Sequence, residues 1–299
     1  MVHAVDGVSF QVEEGEILAL VGESGCGKTT TARLLLRLIQ PTSGSAFFKG
    51  ANIFEIEKEN LKKFRREMKL IFQDSYASLN PRRTLGEILI RQFIQQGINR
   101  ENSRDNTLEL LRTVGLTPAE NFFDRHPHEL SGGQRQRVAV ARAIGSHPKL
   151  IFADEPVSAL DVSIRGQILN LMKKLQSDYQ LTYVFITHDL GVVRSFCSRV
   201  AVMYLGRIVE LASVDEIFSH PLHPYTKALL SATPMANPRK SRSREQMVLT
   251  GEVPSPIDIP AGCRFAQRCP FKQMDCLGRE PELVELRKGH LAACYHPLG

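Results

Sequence analysis

An α/β fold is predicted, with a mixed core sheet, an antiparallel β layer beside it, a helical insertion and a small cysteine-containing C-terminal extension. Two observations carry it. The apolar run Glu16-Ile17-Leu18-Ala19-Leu20-Val21 leads into Gly22-Glu23-Ser24-Gly25-Cys26-Gly27-Lys28-Thr29, and helical composition follows from Thr30 to Leu38: strand, glycine loop, helix. Two later apolar runs, Leu150–Ala153 and Tyr183–Thr187, end in polar residues, Asp154-Glu155 and His188-Asp189. Strand–helix alternation with such chemistry at strand ends is the pattern of a doubly wound core.

In chain order, Val5, Val8, Phe10 and Val12 alternate loosely and predict a half-buried strand over Val2–Val12. Pro41-Thr42-Ser43-Gly44 closes the first helix, and Ser45–Lys49 reads as a short strand of the β layer. Lys69-Leu70-Ile71-Phe72-Gln73 is a core strand with a polar end. Helical spacing over Thr84–Ile98 and Asn106–Val114 predicts the insertion, spanning about residues 75–135. Ser131 is an N-cap for a helix running to about Ile144, and another helix covers Ser163–Gln176. Val200–Tyr204 and Arg207–Leu211 read as a hairpin around Leu205-Gly206. Beyond about Ser219 prolines recur around a short helix, Tyr225–Leu230, and little other regular structure is expected.

Composition narrows the function. A chain of 299 residues with 42% hydrophobic and 23% charged residues is globular, and no apolar run reaches the ~18–20 residues of a membrane span. Residues 1–6 lack the basic start and apolar stretch of a signal peptide, so a cytoplasmic location is expected. The net charge of +6 is partly local, with four positive charges in Arg239-Lys240-Ser241-Arg242-Ser243-Arg244, a solvated linker. Without a basic helix interleaved with aromatics, and with no Trp, no nucleic-acid partner is expected.

The glycine loop fits G-x-x-x-x-G-K-[ST] in its proper strand–helix setting. Its backbone N–H groups can turn onto phosphate oxygens, Lys28 adds a point charge, and Thr29 offers a hydroxyl to Mg²⁺. The candidate nucleotide-binding residues are Gly22, Ser24, Gly25, Cys26, Gly27, Lys28, Thr29 and Thr30, with Cys26 filling a small loop position. At the end of a core strand, Asp154 would hold Mg²⁺ and Glu155 would polarise the attacking water.

Five motifs in order then resemble the ABC-type ATPases, over roughly residues 1–220. Leu130-Ser131-Gly132-Gly133-Gln134 matches the family signature, Gln73 falls at the Q-loop, Ser158-Ala159-Leu160-Asp161 matches the D-loop, and His188 the switch histidine. The resemblance implies an ATPase in which Ser131, Gly132, Gly133 and Gln134 close over the γ-phosphate of ATP held by a second ATPase subunit, with Asp161 nearby. It implies a γ-phosphate contact for His188, and for Gln73 a Mg²⁺ contact that reports to a membrane partner. The family's adenine-stacking aromatic would fall just before Met1. Either the N-terminus is truncated or adenine is held otherwise (His3 is a poor candidate), and weakened ATP affinity relative to an extended form is expected.

The extension resembles that of the ATPases of oligopeptide and dipeptide importers. The matching stretches are Pro221-Leu222-His223-Pro224-Tyr225-Thr226-Lys227-Ala228-Leu229-Leu230, Gly251-Glu252-Val253-Pro254-Ser255-Pro256 and Gly262-Cys263-Arg264-Phe265. Phe72-Gln73-Asp74-Ser75-Tyr76-Ala77-Ser78-Leu79-Asn80-Pro81-Arg82 is more similar to the second of their two paralogous ATPases. This implies a heterodimer with the paralogue (a homodimer in isolation stays open), two integral membrane permease subunits, an indirect link to an extracellular solute-binding protein, and a place on the cytoplasmic face of the membrane. Importers of nickel or another small solute share this text, and soluble ABC-type ATPases of repair or translation, or a metal-dependent regulatory module, are the rival classes.

Cys263, Cys269, Cys276 and Cys294 have the spacing C-x5-C-x6-C-x17-C, which is not the C-x2-C of zinc ribbons. The resemblance implies a [4Fe-4S] cluster of structural role, with zinc or unliganded thiols as alternatives. A small proline-rich segment would gain folding free energy from such a site.

Overall fold

The computed structural model describes residues 2–233, 247, 249, 251 and 254–299. The basic run 239–244, Pro234, Pro238 and the Glu252-Val253 pair lie outside the described residues.

Strand β1 (Ile17–Val21) is buried at every position, as its unbroken apolar text requires of a strand covered on both faces. The glycine loop opens α1 (Lys28–Leu35), which stops short of Leu38 because Arg37 turns to a φ of 52°. The expected strand at 45–49 contracts to β2 (Phe47–Phe48), paired antiparallel with β3 (Ala51–Asn52). Lys49 and Gly50 between them both take positive φ, the requirement of a tight hairpin turn. The strand expected over Val2–Val12 does not form. His3 N–H donates to Pro256 O at 3.0 Å and Asp6 N–H to Gly206 O at 2.9 Å, and Gly7 adopts a φ of 64°; these are isolated bonds around a turn, not a ladder.

Helix α2 (Leu61–Glu67) precedes β4 (Met68–Ile71), and the insertion follows as α3 (Leu85–Ile94), α4 (Arg100–Thr113) and the single turn α5 (Glu120–Phe123). Thr84 starts α3 with a reciprocal capping box to Glu87, and Asn99 caps α4 through the N–H of Asn102. Then come α6 (Gly132–Ile144), β5 (Leu150–Asp154), α7 (Val162–Tyr179), β6 (Thr182–Thr187) and α8 (Leu190–Phe196). The chain continues through β7 (Arg199–Tyr204), β8 (Arg207–Ser213), α9 (Val214–Ser219) and α10 (Pro224–Ala232). Two strands close it, β9 (Val284–Arg287) and β10 (His290–Ala292). They correct the expectation of an extension almost without regular structure.

Two compact units divide the chain. The first holds Met1–Val12, Glu16–Thr31 and Phe185–Gly299, and so unites the glycine loop with the whole described extension. Its sheet is mixed: β1 runs parallel to β7 from Leu18↔Arg199 to Val21↔Val202, while β7–β8, β8–β10 and β10–β9 are antiparallel. Glu210 on β8 ties the extension in. Fully buried, it accepts from the N–H groups of Leu222 (2.7 Å) and His223 (2.9 Å) and meets His290 Nε2 at 2.7 Å. A buried carboxylate is tolerated only when so satisfied. An apolar cluster including Val21, Val202, Tyr204, Tyr225 and Phe265 packs this unit. The second unit, Glu13–Gly15 with Ala32–Val184, contains the helical insertion and the parallel pair β4–β5, in register from Met68↔Leu150 to Ile71↔Ala153.

Candidate functional site

In the first unit the glycine loop is built by contacts that forbid side chains. A Cβ on Gly22 would lie 2.2 Å from the Met203 carbonyl oxygen, and one on Gly27 would lie 2.2 Å from that of Ala4; φ is 153° and 106° at these positions. Lys28 is buried, and its Nζ donates to the carbonyls of Gly22 and Glu23, both at 2.8 Å. The ammonium is thus held by dipoles of its own loop, with donors that a phosphate can claim. Ser24 and Gly25 are exposed at the loop's crown, and Thr29 and Thr30 are half-buried at the start of α1. Cys26 is buried, which raises its thiol pKa, and its carbonyl accepts the Gly206 N–H at 2.9 Å. His188 lies exposed beyond β6, in front of an N-cap in which Asp189 accepts from Gly191 (2.9 Å) and Val192 (3.2 Å).

In the second unit Asp154 closes β5 with its side chain buried, and Glu155 takes a φ of 45°. A non-glycine residue in the left-handed region costs ~1 kcal/mol and is held only where its surroundings demand it. Gln73, two residues past β4, donates from Nε2 to Glu155 Oε2 at 3.1 Å, so these two predicted residues are brought together. Ser131 caps α6 reciprocally: Gln134 N–H donates to Ser131 Oγ (3.3 Å) and Ser131 N–H to Gln134 Oε1 (3.0 Å). Gly133 has no room for a Cβ, which would fall 2.6 Å from Ile164 Cγ2. Asp161 is exposed at the N-terminus of α7.

The four cysteines of the extension are free thiols lining one cavity, together with His223, Phe265, Tyr295 and His296. Burial pushes the Cys263 and Cys294 thiols up to about 11 and raises that of Cys269. Among the described residues, the one trio of ligand-type atoms within 4.8 Å of one another is Asp275, Cys276 and His296. The sulfurs are therefore not gathered at the short spacing of a tetrahedral zinc site. The four thiols share this cavity, but they show no cluster-like arrangement in it.

Two residues that sequence reasoning assigned no role touch the glycine loop. Tyr225 Oη accepts the Glu23 N–H at 2.9 Å, and the Arg268 guanidinium pairs with both Glu23 carboxylate oxygens at 2.8 and 3.1 Å.

The family model for the ABC transporter matches residues 5–158, and that for the oligopeptide/dipeptide transporter C-terminal region matches 209–276. The chain belongs to the ABC transporter ATPases. It is 50% identical over 98% of its length, and 89% of the relative's, to the oligopeptide transport ATP-binding protein AppF of Bacillus subtilis (strain 168). To the dipeptide transport ATP-binding protein DppF of Haemophilus influenzae it is 49% identical, over 99% of this chain and 89% of that one. Among solved structures, the ATP-binding cassette MJ0796, a dimer in a post-hydrolysis state with ADP and phosphate, matches with a TM-score of 0.63 and 32% identity over 71% of this chain and 90% of that one. The protein cbiO1 of Clostridium perfringens, part of the ABC transporter complex cbiONQ, matches with a TM-score of 0.66 and 27% identity over 72% and 84% of the two chains. As an ABC ATPase the protein binds and hydrolyses ATP, and no helix among the described residues is long and apolar enough to cross a membrane.

Proposed function

We propose that this ABC ATPase powers the import of dipeptides or oligopeptides through a membrane transporter. The observation that carries this is the extension: the peptide-transporter C-terminal model matches it, and the near-50% identity to peptide-transport ATPases runs through it. By content, residues 1–220 form the nucleotide-binding portion, with a helical subdomain at about 75–135, and 221–299 the importer-type extension.

In this reading the N–H groups of Gly22, Ser24, Gly25, Cys26, Gly27, Lys28, Thr29 and Thr30 cradle the phosphates. Lys28 exchanges its two carbonyl partners for β- and γ-oxygens. Mg²⁺, held by Thr29, Gln73 and Asp154, would neutralise charge on the phosphate oxygens. Glu155 takes up proton character from the attacking water, with Gln73 fixing its carboxylate, and His188 contacts the γ-phosphate. Ser131, Gly132, Gly133 and Gln134 present the start of α6 to ATP held by the other ATPase, and Asp161 stands at that junction. That other ATPase is a paralogue, and two integral membrane permease subunits receive the motion at the cytoplasmic face. An extracellular solute-binding protein supplies the peptide.

Cys263, Cys269, Cys276 and Cys294 would hold a [4Fe-4S] cluster of structural role. Anaerobic purification should give a brown protein with about four irons per chain; stoichiometric zinc without iron would refute the cluster. The transport reading is tested by tagging the chain in its native host and solubilising membranes gently. Recovery of a paralogous ATPase with two integral membrane proteins, and peptide uptake lost on deletion, is expected. Recovery of soluble partners alone, or uptake of nickel in place of peptide, would overturn it.

A further inference from the structure

Glu23 lies inside the glycine loop, yet it has no place in phosphate chemistry: it is an anion next to where a polyanion must bind. Its three polar groups are all engaged within the first compact unit. The N–H donates to Tyr225 Oη at 2.9 Å, the carbonyl accepts from Lys28 Nζ at 2.8 Å, and the carboxylate forms a two-point pair with Arg268 at 2.8 and 3.1 Å. Arg268 is only 8% exposed at its side chain, so this pair is poorly screened. Its fork geometry fixes direction as well as charge.

Tyr225 and Arg268 both come from the extension, and both are rigidly mounted. Tyr225 sits in the first turn of α10, its ring 4.7 Å from Tyr204 and 5.4 Å from Phe265 between centroids. Phe265 also meets Tyr204 edge-on at 5.3 Å, closing a three-ring cluster directly behind the loop. Arg268 projects from a run of tight turns between Cys263 and Cys269: Ala266 N–H donates to Cys263 O at 2.9 Å and Arg268 N–H to Phe265 O at 3.0 Å. The guanidinium then passes over the Tyr204 ring, 5.9 Å from its centroid.

We propose that Arg268 and Tyr225 are positioning residues for ATP: they clamp Glu23, neutralise it and set the glycine loop in the shape that receives the phosphates. Without Arg268 an unpaired carboxylate faces the incoming triphosphate and the loop's first turn loses its anchor. The extension thereby acts on nucleotide affinity from outside the nucleotide-binding text. The proposal rests on the loop being the ATP site.

The test is nucleotide affinity of the full chain, read by titration with a fluorescent ATP analogue and Mg²⁺, alongside steady-state hydrolysis. Arg268→Ala should weaken affinity about tenfold, the scale of a charged hydrogen bond, and raise KM while kcat at saturation stays within about twofold. Arg268→Lys should recover part of the loss. Glu23→Gln combined with Arg268→Ala should bind no worse than Arg268→Ala, because the pair acts as one unit. Arg279→Ala, which breaks the exposed pair with Glu282 in the same extension, should bind as wild type. Should Arg268→Ala fail to fold, Tyr225→Phe, which deletes one oxygen, must still show weaker affinity with unchanged kcat. Wild-type affinity in Arg268→Ala or, failing that, in Tyr225→Phe overturns the clamp, as does an equal fall in kcat and kcat/KM. No binding by the wild type itself would overturn the reading of the loop instead.

Discussion

The glycine loop and the start of α6 are both phosphate-facing elements by sequence, but they are held in opposite ways. The loop depends on residues far along the chain: Glu23 is tied to Tyr225 and Arg268 across separations of 202 and 245 residues. The start of α6 depends on its immediate neighbours, with Ser131 and Gln134 three residues apart capping each other. The contrast matches what each must do. In the proposed reading the loop receives a ligand within its own chain, and it is backed by a packed, aromatic wall. In the same reading the helix start is offered to another subunit's nucleotide; it is held by its own cap and by close packing, with Gly133 leaving no room for a Cβ beside Ile164.

The largest expected effect lies outside both supports, and it sets the scale for them. Glu155→Gln keeps the hydrogen-bonding outline beside Gln73 but removes the carboxylate. Hydrolysis should fall about 10²–10⁴-fold, the range for loss of a general base, while ATP affinity holds. An ATP-bound dimer should then accumulate, visible by size-exclusion chromatography. A variant that hydrolyses normally would remove Glu155 from the chemistry and leave the two phosphate-facing elements to explain turnover alone.

What the sequence disclosed follows the same division. Local devices were legible: the glycine loop between strand and helix, the Ser131 cap, the polar ends of β5 and β6, and the β7–β8 hairpin at Leu205-Gly206 all lie where their text places them. Devices that rest on distant partners were not. Val2–Val12 has the alternation of a strand, yet its N–H groups go to Pro256 and Gly206. Strand β9 alternates over Val284-Glu285-Leu286-Arg287 but is exposed at all four positions, so its four-residue pattern marks no buried face, and its pairing with β10 makes it a strand. Nothing in Pro224-Tyr225 or Arg268-Cys269 signals that both side chains end on Glu23. Gln73 and Glu155, 82 residues apart, each belong to a motif of their own, and their hydrogen bond is visible only in the fold.

Acid should separate the two supports with the next largest effect. His223 caps α10 by accepting the Tyr225 N–H on Nδ1 at 3.1 Å, a role that needs a neutral ring, and burial pushes its pKa down to about 4. Unfolded, the ring titrates near ~6.5. Between these values the unfolded chain binds the extra proton, so stability is full above about pH 6.5 and falls as pH drops toward 4, by about 3 kcal/mol in all. Denaturant unfolding at pH 7 and pH 4.5 should show this loss, with nucleotide affinity falling as Tyr225 shifts. His223→Asn, which caps without titrating, should flatten the dependence. An equal pH slope in that variant would assign the acid sensitivity to other groups.

Breaking the local support should have the smallest effect and the narrowest reach. Ser131→Ala removes one half of the reciprocal cap, which costs ~1 kcal/mol at a helix N-terminus. Because the cap is confined to residues 131–134, hydrogen exchange should quicken in the first turn of α6 and leave the glycine loop unchanged. ATP affinity of the isolated subunit should hold, since the Ser131 cap bonds close on Gln134 within α6's own first turn. Hydrolysis that requires a second ATPase should decline, because the helix start offered to the partner's nucleotide is frayed and lacks its hydroxyl. If Ser131→Ala instead weakened ATP binding by the isolated subunit, the α6 start would be part of the subunit's own nucleotide site. The contrast between a site supported at long range and a surface supported locally would then fail at its second term.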